Sequence, residues 1–253
     1  LNRRDELTVT GNAFGGTTGE SLTFVSEPPP APYGRVYFDA EVAGADIGAR
    51  AQRRWHAEST TEVRLFYDIY DRSMEVLDGR VHNADFQMQH QGLIGGHRLV
   101  TGAAYRRTWD DVAGSYAAWF TPQRRTTHLF SGFVHDEIDL VSDRLRLSMG
   151  AKLEHNSFTG FEWQPNIRLW YAPKAQHGAW LAVSRPLRTP SRGDDDLNAF
   201  LTQLPADSLF AGAPTTLVLV DNNRRFQTER MVAFDGGYRA GVGPVFADLS
   251  VFY

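Results

Sequence analysis

The side chains best suited to gripping a small molecule fall in two stretches. Trp109, Tyr116, Trp119 and Phe120 run up to Arg124, and Arg188 and Arg192 stand further along the chain. A guanidinium presents a planar fork of donors that fits carboxylate-like anions. An aromatic face attracts cations and stacks on flat delocalised groups. Together these residue types suit a ligand that is both anionic and aromatic. The same aromatics would serve equally well as an interfacial belt if the chain lies in a membrane.

Other constellations carry less. Asp136 and Glu137 are adjacent carboxylates, but on a strand they point to opposite faces and cannot share a proton. Asp194–Asp196 offers oxygens to a hard cation such as Ca2+, at a spacing that matches no known loop. The tripeptide Arg192-Gly193-Asp194 reads as a solvated loop tip. His90, His97, His128 and His135 lie on or beside strand-like segments, without the spacing of a ligand set. No HExxH, GxSxG, Walker loop or GxGxxG occurs. The expectation is therefore no catalytic residue, no metal site, no cofactor and no enzyme. The net charge of −4 gives no reason to expect nucleic acid as a partner. With 0 cysteines the chain has neither a disulfide framework nor thiolate chemistry.

The elements that must position these residues are strands. Hydrophobic residues make up 42% and charged residues 22% of the 253 positions, and mean hydropathy is −0.37. No apolar run reaches the ~18 residues of a membrane helix. A β-barrel escapes that test because its strands alternate lipid-facing and lumen-facing residues. About eleven segments alternate in this way. In 61–71, Val63, Leu65, Tyr67 and Ile69 fall opposite Glu62, Arg64, Phe66 and Asp68. In 145–154, Leu145, Leu147, Met149, Ala151 and Leu153 fall opposite Arg146, Ser148, Gly150, Lys152 and Glu154. Such patterning puts one face against something apolar and the other against something wet.

Two further signals agree. Candidate short turns near 57–60, 92–96, 140–143, 172–177 and 240–244 alternate with longer connections at 15–43, 72–80, 110–124, 156–162 and 186–223. Outer-membrane barrels sort their loops this way, tight on the periplasmic side and long outside. Pro28–Pro32 would stiffen the first long connection as a polyproline-like piece. The wet face would carry Arg64, Asp68, Asp85, Arg106, Arg146, Lys152, Glu154, Arg168, Asp235 and Arg239. A narrow barrel filled by its own side chains has no room to solvate or pair so many charges. A wide lumen has, so these strands are expected to form part of a larger barrel.

Two stretches, 127–192 and 229–253, resemble the barrel of the TonB-dependent receptor family, above all its siderophore-receptor members. The resemblance rests on an ordered series. Phe133, Asp136 and Glu137 are followed by Gly150, Lys152 and Glu154, then by Pro165, then by Trp180, Ser184, Arg185, Arg188 and Pro190. Later comes Glu229–Ala240 and a hydrophobic strand ending Phe252-Tyr253. Asp235 stands where the family more often has Glu, and Pro186 where Ala is common. The resemblance implies an all-β fold, an antiparallel up-and-down transmembrane β-barrel of which 1–253 supplies a part. It implies a bacterial outer-membrane location, with outer-membrane lipid as a partner. It also implies TonB-dependent import of a scarce nutrient such as a ferric siderophore. Trp109, Tyr116, Trp119, Phe120, Arg124, Arg188 and Arg192 would then contact the ligand. TonB would act through a plug domain, and neither plug nor TonB box is expected within these residues. The chain is expected to be an internal fragment that stops in mid-strand. A passive porin-like channel and a soluble β-rich binding module are the other readings.

Overall fold

A computed structural model of the chain describes residues 4–25, 33–174, 176–204, 206–207, 209, 211–212, 216–222 and 226–253. The strands are β1 (Asp5–Val25), β2 (Tyr33–His56), β3 (Ser59–Ser73), β4 (Leu77–Ile94), β5 (His97–Gly114), β6 (Ala118–Phe120), β7 (Arg124–Val141), β8 (Leu145–Asn156), β9 (Gly160–Lys174) and β10 (His177–Ser184). Next come β11 (Leu187–Arg188), a short helix α1 (Arg192–Asp196), β12 (Leu197–Leu204), β13 (Thr216–Val220), β14 (Glu229–Arg230), β15 (Ala233–Val242) and β16 (Val245–Phe252). Eleven strands form one antiparallel sheet in the order β1-β2-β3-β4-β5-β7-β8-β9-β10-β15-β16. A small sheet β13-β12-β6 and the pair β11-β14 are built from the two long connections.

Register turns the sequence alternation into two continuous faces. Val63 pairs with Met88, Met88 with Ala103, Ala103 with Gly132, Gly132 with Leu153 and Leu153 with Trp163. One residue along, the row reads Arg64, Gln87, Ala104, Ser131, Glu154 and Glu162. Because the side-chain period is two, a slip of one residue would exchange these rows between faces. All ten charged residues expected on the wet face lie on the face of Arg64. The opposite face carries exposed Leu65, Phe86, Met88, Phe130, Met149, Leu169, Leu181 and Leu249.

Two belts of aromatics bound that apolar face. On the side of the tight turns, Trp55 donates to Thr61 and Thr61 bonds His90, with Tyr171 and Tyr238 further round. On the other side stand Tyr67, His82 and Trp109, with His128, Phe161 and Trp163 further round. His82 and His90 are eight residues apart on β4. At ~3.3 Å per residue that is about 26 Å along the strand. A ~45° tilt brings it to about 19 Å, within the ~25 Å apolar band of an outer-membrane barrel.

The connections confirm one half of the expected sorting and correct the other. At one end the strands close through tight turns at 57–58, 95–96, 142–144 and 243–244. Gly95 and Gly243 hold φ of 63° and 58°, the left-handed region that a glycine enters without a Cβ clash. At the other end three of the expected long loops are mostly strand. β1 and β2 remain paired up to Val25↔Tyr33, so the expected connection 15–43 is largely a β-ribbon. The 72–80 and 156–162 connections shrink to three residues each, 74–76 and 157–159. The strands run on past the belt because each backbone group continues to find its neighbour across the ladder. They therefore exceed the length of a membrane crossing, β2 reaching 24 residues. The proline stretch Pro28–Pro32 lies outside the described residues.

Candidate ligand vestibule

The polar face is a lattice of ion pairs. Arg50 meets Glu62 at 2.6 Å, Arg106 meets Asp85 at 2.8 Å, and Lys152 meets Glu154 at 2.8 Å. Nearer the tight turns, Arg98 bridges Glu137 and Asp139 at 3.0 and 2.9 Å, and Arg146 joins the same carboxylates. Glu154 and Glu162 stand directly opposite each other on β8 and β9, an arrangement that repels. Lys152 on the first and Arg230 on the second, 3.1 Å away, offset that repulsion. Trp170 and Trp180 stack on this face with centroids 6.2 Å apart. A Cβ on Gly237 would collide with the Trp180 ring, so the glycine there leaves room for the indole. Carboxylates and guanidiniums facing one another at these spacings need water or a polar partner beside them, which is what a wide lumen provides.

Above this wall a cap is folded from the two long connections. β12 leaves the top of the β10–β15 pair, crosses the polar face, and pairs with β6 between β5 and β7, Leu197 opposite Phe120 and Ala199 opposite Ala118. Val76, Ala117 and Ala118 form a small buried core there, packed against Phe38, Leu77, Tyr116 and Ala199. Trp119 leans on Phe200 with centroids 5.9 Å apart. The Asn198 amide donates to Thr121 at 3.1 Å, and its carbonyl accepts from the Asn222 backbone at 3.1 Å.

A cluster of charges bolts the cap to the wall. Asp196 is 0% exposed and is shared by Arg125 of β7 and Arg192 of α1. Arg125 also reaches Asp195 at 2.6 Å, and Arg192 reaches Asp110 of β5 at 2.7 Å. Arg192 donates as well to the carbonyls of Pro122 and Gln123, at 2.8 and 3.0 Å. Its guanidinium lies 5.0 Å over Phe120, and that of Arg125 lies 4.7 Å over Phe158. Each buried charge thus has an opposite charge and fixed donors or acceptors, the condition for tolerating it. The start of α1 is capped by Ser191, whose side chain accepts from the Asp194 N–H at 3.2 Å. The Asp194 carboxylate accepts in return from the Ser191 N–H and hydroxyl, both at 2.8 Å, and these bonds hold its pKa below the ordinary value.

The structure divides the residues expected to contact a ligand. Tyr116, Trp119, Phe120 and Arg192 come together in the cap, and Arg188 of β11 sits at its foot, paired with Glu229 at 2.7 Å and Asp194 at 3.5 Å. Trp109 and Arg124 lie on the opposite, apolar face. Trp109 stacks on His82, centroids 5.0 Å apart, and Arg124 is 77% exposed and pairs with Asp111 at 2.7 Å. The run 192–196, expected as a solvated loop tip, is a short helix, and its Asp195 and Asp196 turn to guanidiniums. Among the described residues no group of three or more His, Asp or Glu is placed to hold a metal ion. Sequence reasoning left Asp110, Arg125 and Asn198 out of the site, and it weighed Asp196 only as an oxygen donor to a cation and not as the partner of two arginines. The capping pattern Ser191-x-x-Asp194 was the one local signal for the helix.

Comparison with known proteins agrees with this architecture. The family model described as "TonB dependent receptor-like, beta-barrel" matches residues 4–253. The chain is similar in fold to the siderophore receptor PirA from Pseudomonas aeruginosa, with TM-score 0.64 and 12% identity, covering 100% of this chain and 49% of that one. It is also similar to BauA, the ferric preacinetobactin receptor from Acinetobacter baumannii, with TM-score 0.59 and 12% identity, covering 99% and 44%. A variant of the ferric enterobactin receptor PfeA from Pseudomonas aeruginosa, in complex with enterobactin, gives 0.55 and 14%, covering 100% and 49%. The chain thus spans about half the length of these structures. No curated protein matches it. With the sheet order, the two-faced register and the family match in agreement, the chain belongs to the TonB-dependent receptor β-barrel family, whose members are outer-membrane proteins.

Proposed function

We propose that the parent protein captures a ferric siderophore at the cell surface and imports it in a TonB-dependent manner. The observation that carries this reading is the cap, which brings aromatic rings and arginines over the polar face of the wall. Ferric siderophores with catecholate groups are anionic and aromatic, so guanidiniums and π-faces suit them on both counts. The names of the structural relatives, three receptors for siderophores, support the same class of ligand. Trp119 and Arg188 are the proposed contacts, with Tyr116 and Phe120 beside them. Arg192 acts by holding the cap in place. Trp109 and Arg124 face the membrane and are left out of the site. Energy would reach the ligand through TonB and a plug domain elsewhere in the parent protein.

The test uses the full-length receptor. Replacing Trp119 and Arg188 together by Ala should weaken binding of a ferric catecholate by about tenfold or more, from lost π and charge-assisted contacts. The heat-modifiable gel mobility of the folded barrel should stay unchanged, since these residues lie outside the eleven-strand ladder. Saturable, energy-dependent uptake should fall in parallel. Non-saturable uptake that ignores the proton-motive force would overturn the reading in favour of a passive channel. Unchanged binding in the double variant would remove the proposed contacts alone.

A further inference from the structure

We propose that Arg107, on the apolar face of the sheet, binds the phosphate of an outer-leaflet lipid headgroup. Register places Arg107 opposite Ala84 on β4 and His128 on β7, in the row between Tyr105 and Trp109 on β5. Its guanidinium lies 5.1 Å over the Trp109 ring, which in turn stacks on His82. The Tyr67 hydroxyl bonds the His82 ring at 2.8 Å, so the aromatic platform under the cation is braced. Arg107 is exposed, and among the described residues it has no carboxylate partner.

This sets it apart from the arginines around it. Two rows higher on the same face, Arg80 pairs with Asp71 and Arg124 pairs with Asp111. Each of those two arginines has its own aspartate, whereas among the described residues Arg107 has none. A lone guanidinium on a lipid-facing surface is costly unless it extends to the headgroup level and finds an anion there. The anion cannot come from the lumen, because the lumenal carboxylates lie across the sheet. At the height of the upper aromatic belt, the anions that the membrane itself supplies are lipid phosphates. A guanidinium meets a phosphate through two parallel N–H···O bonds, and the indole beneath keeps that fork oriented. This inference depends on which face meets lipid and is independent of the ligand that the receptor imports.

The experiment uses the full-length receptor in detergent, titrated with bis-phosphorylated lipid A, with its dephosphorylated form and with inorganic phosphate. Native mass spectrometry reads the bound lipid, and Trp fluorescence reads the site. The phosphorylated lipid should bind, and Arg107→Gln should weaken it by about tenfold or more, as expected for loss of a charge-assisted hydrogen bond. Arg107→Lys should restore part of the affinity. Arg124→Gln should leave binding within about twofold, because that arginine is already engaged by Asp111. Heat-modifiable mobility checks that each variant is folded. Equal affinity in Arg107→Gln would overturn the proposal. Equal binding of the dephosphorylated lipid, or inorganic phosphate competing at equal concentration, would overturn it as well.

Discussion

The wall and the cap are folded in different solvents, and they are held together by different means. In the wall the side chains of one face meet lipid and those of the other meet water or polar partners. It has almost no interior: among the described residues the buried apolar side chains are Ala40, Val76, Ala117 and Ala118, three of which belong to the cap. Its order comes from continuous ladders between neighbouring strands, which satisfy the backbone groups of the inner strands as a membrane demands. The cap has what a small water-soluble unit has: a core, a capped helix and charges buried in pairs. The wall therefore depends on the alternation of polarity, and on close-packed glycines such as Gly237, more than on any one ion pair. The cap hangs on a few particular contacts.

The largest effect should come from the cap's central carboxylate. Asp196→Ala leaves Arg125 and Arg192 partly buried around a missing charge, and breaking such a pair costs about 3–5 kcal/mol. Because Asp196 and Arg192 lie outside the main ladder, that cost should appear as local opening. Hydrogen exchange across 185–232 should accelerate, and limited proteolysis should cut there, while the barrel keeps its heat-modifiable mobility. Loss of the whole barrel would show that cap and wall are one cooperative unit.

The wall should give a face-dependent answer of somewhat smaller size. Met149 lies midway between the two belts on β8, and Met149→Arg should cost about 2–4 kcal/mol in the full-length protein, as expected near the midplane. Ser148→Arg, one residue away on the lumenal face, should cost far less, because a guanidinium there stays in water. Denaturant titration of refolding into bilayers measures both. Equal costs would abolish the distinction between the two faces.

The smallest effect concerns the cap's dependence on pH. The Asp194 carboxyl is held below its ordinary 3.8 by the N–H and hydroxyl of Ser191. Its folded pKa is depressed, so its contribution is complete above 3.8 and is lost as pH falls through the lower folded value. Hydrogen exchange at α1 should speed up over that acid range. Asp194→Asn should flatten the dependence while leaving the wall unchanged. An unaltered acid transition in that variant would assign the effect to another group.

How much of this was legible in the sequence follows from the same contrast. The wall's faces were readable because period-two alternation is local: Val63, Leu65, Arg64 and Arg146 reveal their sides without any partner. The ribbon of β1 and β2 above the belt was not readable. Its stretch Ala13-Phe14-Gly15-Gly16-Thr17-Thr18-Gly19 has the composition of a loop and becomes strand only by pairing with β2. The cap was hidden for a deeper reason. Arg125 and Asp196 are 71 residues apart, and nothing local in either announces the other. The expected connection 110–124 conceals the sides of Trp109 and Arg124, because β5 runs on to Gly114 and β7 already begins at Arg124. With β5 continuing to Gly114, parity alone sends Trp109 to lipid and Asp110 to the cap.

The central claim is that adjacent residues of one strand face two solvents, and the absence of cysteine from this chain makes it directly measurable. Single cysteines placed at successive positions 146–153 of β8, in the full-length receptor in intact outer membranes, can be challenged with a membrane-impermeant thiol reagent. The account predicts labelling at 146, 148, 150 and 152 and protection at 147, 149, 151 and 153. Labelling that ignores this alternation would contradict it.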